Sequence, residues 1–472
     1  MKKLVPLAVL AALLLVLAPA SFANPTPVAH AANLEFVPLI HVAPDDPTQS
    51  EAGPYACTTP APSVHYLTFH CYTPSDILAA YGVDTLHSAG TTGAGQTIVI
   101  VDSYGSPTAL SDLQTFSTAF GLPQPNLTIV YPTGKPTYNN SVNGSQVGWA
   151  FETSLDLQWA HTIAPDAKLV LVAANPAETE GVQGFPSIFI GEQYAIQNYP
   201  GSVISQSFAV TEQSFQPAAN PVVAQFDKVY QQAVTNHVTV LGSSGDSGTA
   251  NIDKQGRVYP YPTVNWPSSD PLVTSAGGTW LMYGWTWNPS SPTDMAYTNT
   301  PGSRTEAVWN EPFIEAATGG GRSVLFSAPT FQSSVASVVN GHRGLPDVSW
   351  NAAVDGGVLV YTSFPGARVG WHIVGGTSAA SPQLAGLIAL TNQLRHASSK
   401  QSIGYLNNAL YNLPAADFVD ITTQTFGSVT LDNNQQYGTT IAGMPTLTGY
   451  DLTTGRGSPK AASFVNDLAA LP

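Results

Sequence analysis

The stretch Gly375-Gly376-Thr377-Ser378-Ala379-Ala380-Ser381-Pro382 (GGTSAASP) joins a β-type run, with Trp371, Ile373 and Val374, to a helix-compatible run from Gln383 to Thr391. Its two glycines let the backbone turn sharply and approach a ligand closely. Ser378 then sits at the mouth of a helix, where free backbone N–H groups and the positive end of the helix dipole converge as a developing oxyanion requires. A serine so placed is a candidate nucleophile. A Gly-Thr-Ser turn that only caps a buried helix has the same local pattern. The rest of the chain must therefore supply a base, an orienting group and an oxyanion donor.

Outward from this junction, strand-like and helix-like runs alternate. Gln96 to Val101 (QTIVIV) is continuously apolar, as a parallel strand covered on both faces is. Further strand-like runs are Lys168 to Ala173, Ser202 to Ser205, Val238 to Gly242 and Val358 to Tyr361. Helix-like runs are Ser111 to Ala119, Trp149 to Thr162, Ile190 to Asn198 and Asn220 to Thr235. Thr73 to Leu78 reads as a helix start, with Pro74 near the first position and Asp76 in the first turn. The alternation predicts an α/β fold with a central, mostly parallel sheet flanked by helices. Residues 280–330, rich in Gly, Pro, Ser, Thr and Trp, read as long surface loops. No linker divides residues 72–472, which are read as one domain of catalytic size.

Composition narrows the function. The 472 residues carry 30 acidic and 15 basic side chains, a formal charge of −15, and no basic patch that would bind nucleic acid. Charged residues make up only 10% of the chain, so few ion pairs are open to disruption by acid and little positive self-repulsion builds up at low pH. Lys2 and Lys3 precede the apolar run Leu4 to Ala18, and small-residue cleavage sites follow near residues 23 and 31. Residues 1–31 are read as a secretory signal peptide, and no later segment is apolar enough to cross a bilayer once it is removed. Residues 32–71 form a short leader, rich in Pro, Ala and Thr, read as an exposed arm. An exported chain is expected to join Cys57 to Cys71, a loop of ~15 residues worth on the order of 3 kcal/mol in the loop-entropy model. Acceptor patterns for N-glycosylation occur at Asn126, Asn139 and Asn143.

Three acids stand out. Glu152 and Asp156 lie four apart among Phe151, Leu155, Leu157 and Trp159, which places both carboxylates on one face of a mostly buried helix, roughly 5–6 Å apart at Cβ. Two acids so placed repel unless they share a proton; an exposed acidic face is the plainer alternative. Asp246, in GSSGDSG (242–248), directly follows a β run, at the strand end where α/β folds place their sites. A turn aspartate beside glycines would look the same.

Taken together the motifs resemble the sedolisin family of serine-carboxyl peptidases, relatives of subtilisin that work in acid. The resemblance rests on YTPSDILAAYGV (72–83), ETSLD (152–156), SSGDSG (243–248), SAGGTWL (275–281) and WNEPF (309–313). TGGGRS (318–323), RGLPDVSWNA (343–352), GGTSAASP and DLTTGRGSP (451–459) follow in order. It implies a subtilisin-like fold with Ser378 as nucleophile, Glu152 as general base and later acid, Asp156 as its orienting residue, and Asp246 as the oxyanion-hole acid. The chemistry is consistent. At pH 4 a histidine of ordinary pKa ~6.5 is only about 0.3% neutral, whereas a glutamate near ~4.3 is about one-third ionised. A carboxylate therefore serves as base where histidine cannot, and Asp246 donates to an oxyanion only while protonated.

The resemblance also implies one structural calcium ion held by the carboxylates of Asp420 and Asp451 and the carbonyls of Ile421, Leu447 and Gly449, a hard all-oxygen set. Leu447 stands where the family often has glycine. Two further departures are the short leader, where relatives usually carry a large inhibitory prodomain, and Gln206, where they commonly have tryptophan. The expectation is a secreted, acid-active endopeptidase, a monomer acting on proteins or peptides. One rival is a Ser/His/Asp subtilisin-like protease using Asp102 at the end of IVIVDSYG. It lacks the usual His-Gly-Thr-His context, and His161 and His372 lie in unrelated surroundings. The other rival is a binding protein on an inactive peptidase fold.

Overall fold

A computed structural model describes residues 37–38, 41–42, 69–138, 145–175, 186–215, 221–253, 256–287, 297–426, 429–434 and 440–472. The proposed signal peptide, Cys57, Asn139 and Asn143 lie outside these residues.

Strand β1 (Thr97–Ser103) shows how the sheet is made. Ile98 and Ile100 enter one apolar cluster, Val99 and Val101 another, and all four are fully buried. A strand apolar at every position belongs in the middle of a doubly covered sheet. Around it lie β2 (Asn126–Val130), β3 (Lys168–Ala174), β4 (Val203–Gln206), β5 (Phe208–Thr211) and β6 (Thr239–Ser243). After them come β7 (Thr274–Trp287), β8 (Tyr297–Val308), β9 (Val348–Asn351), β10 (Gly357–Thr362) and β11 (Gly370–Gly375). Eight strands form one sheet in the order β8-β7-β6-β4-β1-β3-β2, with β9 also pairing β7. Every pairing is parallel except β7 with β8. Strand β1 sits between β3 and β4, so connections leave it in both directions, and the crevice beyond its carboxyl end is where such sheets bind ligands.

The helices that matter are α1 (Pro74–Tyr81), α2 (Ala109–Phe120), α3 (Ser145–Ile163), α4 (Pro186–Asn198), α5 (Pro221–Thr235) and α6 (Thr377–Ala397). Each lies where the sequence pattern put a helical run, with ends moved by a few residues. Helix α6 differs most: it begins at Thr377 and runs through Pro382. Proline lacks the N–H that would bond back to the carbonyl of Ser378, so the helix tolerates it only near this end. From Thr377 to Asn392 every residue of α6 is buried, as in a helix enclosed by protein on all sides. Helix α3 packs directly on it. A Cβ at Gly386 would come within 2.5 Å of the Ile163 side chain, so only glycine permits this approach. Helix α3 is pinned by Trp159 Nε1 donating to the Leu359 carbonyl at 2.9 Å, and by Gln158, which bonds both the N–H and the C=O of Tyr361.

Two readings are corrected. The described residues of 280–330 are not mainly long loops: β7 and β8 form an extended antiparallel pair, in which Trp280, Met282 and Trp285 are buried. The Gly, Ser and Thr content hid a strand buried on both faces, with Trp280 and Met282 in one apolar cluster and Leu281 between them in another. The leader is not simply an exposed arm either. Phe69, His70, Cys71 and Tyr72 are buried, Val37–Pro38 pairs with β5, and His41–Val42 pairs with β11. Cys71 is disulfide-bonded, and Cys57 is the only other cysteine of the chain.

Candidate active site

The carboxyl ends of β1, β4 and β6, the middle of α3 and the amino end of α6 converge on Ser378. The turn from β11 into α6 is made by Gly376, whose φ of 114° suits glycine alone, and its N–H donates to the Ala352 carbonyl at 2.6 Å. Ser378 is fully buried, and its hydroxyl lies 3.5 Å from the carbonyl of Ser207, the residue after β4. Ser205 and Ser381 join β4 to α6 through their hydroxyls at 2.8 Å.

Glu152 and Asp156 project from α3 into the same place, both fully buried. Asp156 Oδ1 accepts the Ser207 hydroxyl at 3.0 Å. Glu152 stands between Ser378 and Asp156, and neither of its oxygens makes a hydrogen bond of ordinary geometry in this state. Catalytic contacts commonly tighten only when substrate binds. Burial, then the charge of Asp156, then that of Asp102 push Glu152 well above the usual carboxylate range, and the Ser378 hydroxyl pulls it part of the way back. Burial and the Asp102 charge likewise push Asp156 up, against hydrogen bonding from Ser207 and Glu152. These acids titrate as a unit rather than singly.

Asp246 follows β6 on a turn through Gly245, where φ is 118° and a Cβ would strike Asn265. Its Oδ1 accepts both the N–H and the hydroxyl of Thr377, at 2.8 and 2.7 Å. Burial lifts its pKa to about 7 against those two bonds. Its other oxygen faces His41 Nε2 of the leader at 3.5 Å.

All four expected residues are thus brought together. Sequence reasoning missed the groups that hold them: Thr377, Ser207 and Thr153, ordinary hydroxyl residues with no motif of their own. Asp102 lies at the carboxyl end of β1, the strand end where the sequence put it, and is a fourth buried carboxylate, its Oδ2 accepting from Thr153 at 2.9 Å and its pKa lifted to about 7 by burial. Among the described residues no histidine pairs with it. His161 and His372 bond the carbonyls of Pro123 and Arg368 instead, which removes the Ser/His/Asp reading.

At the far end of the chain, Asp420 Oδ2 accepts from Gly449 N at 2.9 Å and Asp451 Oδ2 from Leu447 N at 3.0 Å, so both carboxylates meet one loop. The carbonyls of Ile421, Leu447 and Gly449 accept no hydrogen bond among the described residues. No cluster there, or elsewhere among the described residues, brings three His, Cys, Asp or Glu side chains together for a metal. A cation at this loop would rely on backbone carbonyls.

A subtilisin-like sheet carrying a buried serine among buried carboxylates, with His41 facing Asp246 at 3.5 Å, is the arrangement that a serine-carboxyl class of site requires. The comparisons agree. The chain is 29% identical over 394 residues to kumamolisin of Bacillus sp. (strain MN-32), covering 82% of this chain and 62% of that one. It is 32% identical over 382 residues to sedolisin of Pseudomonas sp. (strain 101), covering 79% and 57%, so it spans less than two thirds of either relative. It is 27% identical over 339 residues to tripeptidyl-peptidase 1 of Homo sapiens, covering 67% and 51%. The solved structure of Pseudomonas sedolisin, a serine-carboxyl proteinase complexed with two molecules of pseudo-iodotyrostatin, superposes with a TM-score of 0.64 at 29% identity, covering 84% of this chain and 98% of that one. No family model matches the chain. Kumamolisin, sedolisin and tripeptidyl-peptidase 1 are thus its homologues over most of its length.

Proposed function

We propose that this protein is a secreted, acid-active serine-carboxyl endopeptidase. The observation that carries the reading is the convergence of Ser378, Glu152 and Asp156 in one buried site, with Asp246 held by Thr377 beside the nucleophile. Ser378 Oγ attacks the substrate carbonyl as its proton passes to Glu152. Asp156, fixed by Ser207, holds Glu152 in place and shares a proton with it. The tetrahedral oxyanion takes a hydrogen bond from protonated Asp246, with the amino end of α6 adding its dipole. Glu152 then returns the proton to the leaving amine, an acyl-enzyme remains on Ser378, and Glu152 activates the water that releases it.

One structural calcium ion is proposed at Asp420, Asp451 and the carbonyls of Ile421, Leu447 and Gly449. Two carboxylates and three unengaged carbonyls around one loop suit a hard cation. Secretion rests on the N-terminal signal reading; among the described residues no helix is long and apolar enough to cross a membrane. A monomer acting on peptides and unfolded proteins is the simplest form. The test is hydrolysis of a denatured protein between pH 3 and 5 by the wild type and by Ser378→Ala. Loss of cleavage in the variant is expected, and equal cleavage by both would remove the assignment.

A further inference from the structure

A short hairpin links the turn that carries Asp246 to the turn that carries Ser378. Asn310–Glu311 pairs antiparallel with Ala316–Ala317. On one side this hairpin meets the Asp246 turn. Ala317 N–H donates to the Asp246 carbonyl and the Ala317 carbonyl accepts from Gly248, both at 2.9 Å, and Gly319 N–H donates to the Gly245 carbonyl at 2.7 Å. On the other side Glu311 reaches the loop that backs the Ser378 turn. Its Oε2 accepts the Trp309 indole N–H and the Val354 N–H, and its Oε1 accepts the Asp355 N–H, each at 2.7 Å. The Ala352 carbonyl of that loop takes the Gly376 N–H at 2.6 Å, and a Cβ at Gly375 would come within 2.6 Å of the Ala352 and Ala353 carbonyls. Loop and turn are therefore in direct backbone contact.

Thr377 already joins the two turns, donating to Asp246 and accepting the Gly245 N–H at 3.1 Å. One junction acts as a pivot; a second, on the far side, fixes the angle about it. Glu311 is fully buried, where a carboxyl group is unfavourable unless hydrogen bonds compensate, and all three of its bonds go to this junction. We infer that Glu311 is a positioning residue for the oxyanion hole, closing a ring through the hairpin 310–317 that holds Ser378 and Asp246 at a fixed spacing. The effect on rate rests on the peptidase reading; the effect on the two turns does not. An amide in its place can accept from Trp309 and Val354 but sets N–H against the N–H of Asp355, so Glu311→Gln opens the ring while keeping the side chain's shape.

The test uses the full-length chain. Hydrogen–deuterium exchange compares Ser378→Ala with Ser378→Ala/Glu311→Gln at residues 243–248 and 352–356, and faster exchange is expected at both. Peptide hydrolysis at acid pH compares the wild type with Glu311→Gln, Asp246→Ala and the double variant. Glu311→Gln should lower kcat about 10–100-fold, as a misplacement of up to ~1 Å does, with KM unchanged. The same substitution should cost far less when Asp246 is already Ala, because the spacing it sets then serves no donor. Arg343→Met, which breaks a buried ion pair that bonds neither turn, controls for lost stability and should keep kcat. Trp309→Phe removes one donor to Glu311; it should give a smaller fall and carries the test if Glu311→Gln does not fold. Unchanged exchange at both turns, an unchanged kcat, or an equal fall with and without the Asp246 carboxyl group overturns the clamp. If exchange rises at both turns while no protein hydrolyses peptide, the clamp stands and the peptidase reading fails.

Discussion

Thr377 gives both its N–H and its hydroxyl to a single oxygen of Asp246, at 2.8 and 2.7 Å. Those two donors leave a proton on this carboxyl group to the opposite oxygen, the one that His41 Nε2 faces at 3.5 Å. The residue next to Ser378 therefore orients the Asp246 carboxyl group.

The first consequence concerns pH. Asp246 donates only while protonated, and its pKa is about 7, so the donor is present below that pH and is lost as pH rises through it. Asp246→Asn keeps a donor at every pH and should extend activity to higher pH. Asp246→Ala should lower kcat by about 10²–10³, the usual effect of losing one oxyanion donor. A kcat profile from pH 3 to 8 checks both; an unchanged profile in Asp246→Asn would contradict the role.

Glu152 and Asp156 should separate by function. Glu152→Gln removes the base and should cost about 10²–10⁴ in kcat. Asp156→Asn leaves Glu152 in place, still faced by a side chain that bonds Ser207, and should cost less while shifting the acid limb of the profile. Losses of equal size with no shift would show that the pair does not divide the work.

Stability should favour acid. Burial lifts Asp102, Asp246 and Asp270 to about 7 and Glu311 to about 8, all from ordinary unfolded values near 4. A group whose folded pKa is raised adds stability that is complete below its unfolded pKa and is lost as pH rises through the folded one. Melting temperature should therefore be highest near pH 4 and fall steadily toward pH 8. A flat or rising curve by calorimetry would contradict it.

Arg343 and Asp347 form a fully buried ion pair, joined at 2.7 and 2.5 Å, with Asp347 also accepting from Ser275 N and the Tyr411 hydroxyl. Arg343→Met would strand a buried carboxylate. The expected cost is about 3–5 kcal/mol in denaturant unfolding, with the catalytic side chains untouched.

Calcium removal is the fifth check. Chelation should lower the melting temperature, and Asp420→Ala should remove that sensitivity. Asp420 is the cleaner choice because Asp451 also accepts from the backbone and hydroxyls of Thr453 and Thr454 and so shapes the loop without a metal. A melting temperature indifferent to chelator would exclude a bound ion.

Much of this was legible in the residues. The apolar run of β1 announces a doubly covered strand, and the spacing of Glu152 and Asp156 announces a shared face on α3. What was not legible depends on long-range placement. Thr377, Ser207 and Thr153 are unremarkable hydroxyl residues until the fold brings each to a buried carboxylate. Asp102 sits at the end of β1, where the sequence alone admits either reading, and only its neighbours decide between them. His41 lies in a Pro- and Ala-rich leader with no periodicity, and its position against Asp246 comes from strand pairing more than 300 residues away in sequence.

The most direct test of a carboxylate-driven nucleophile is to trap the acyl group. A slowly released peptide ester is mixed with the protein at acid pH, quenched, digested and weighed by mass spectrometry. The expected result is an acyl adduct on the peptide that carries Ser378, absent in Ser378→Ala and greatly slowed in Glu152→Gln. An active protein that acquires no adduct, or acquires it elsewhere, would contradict it.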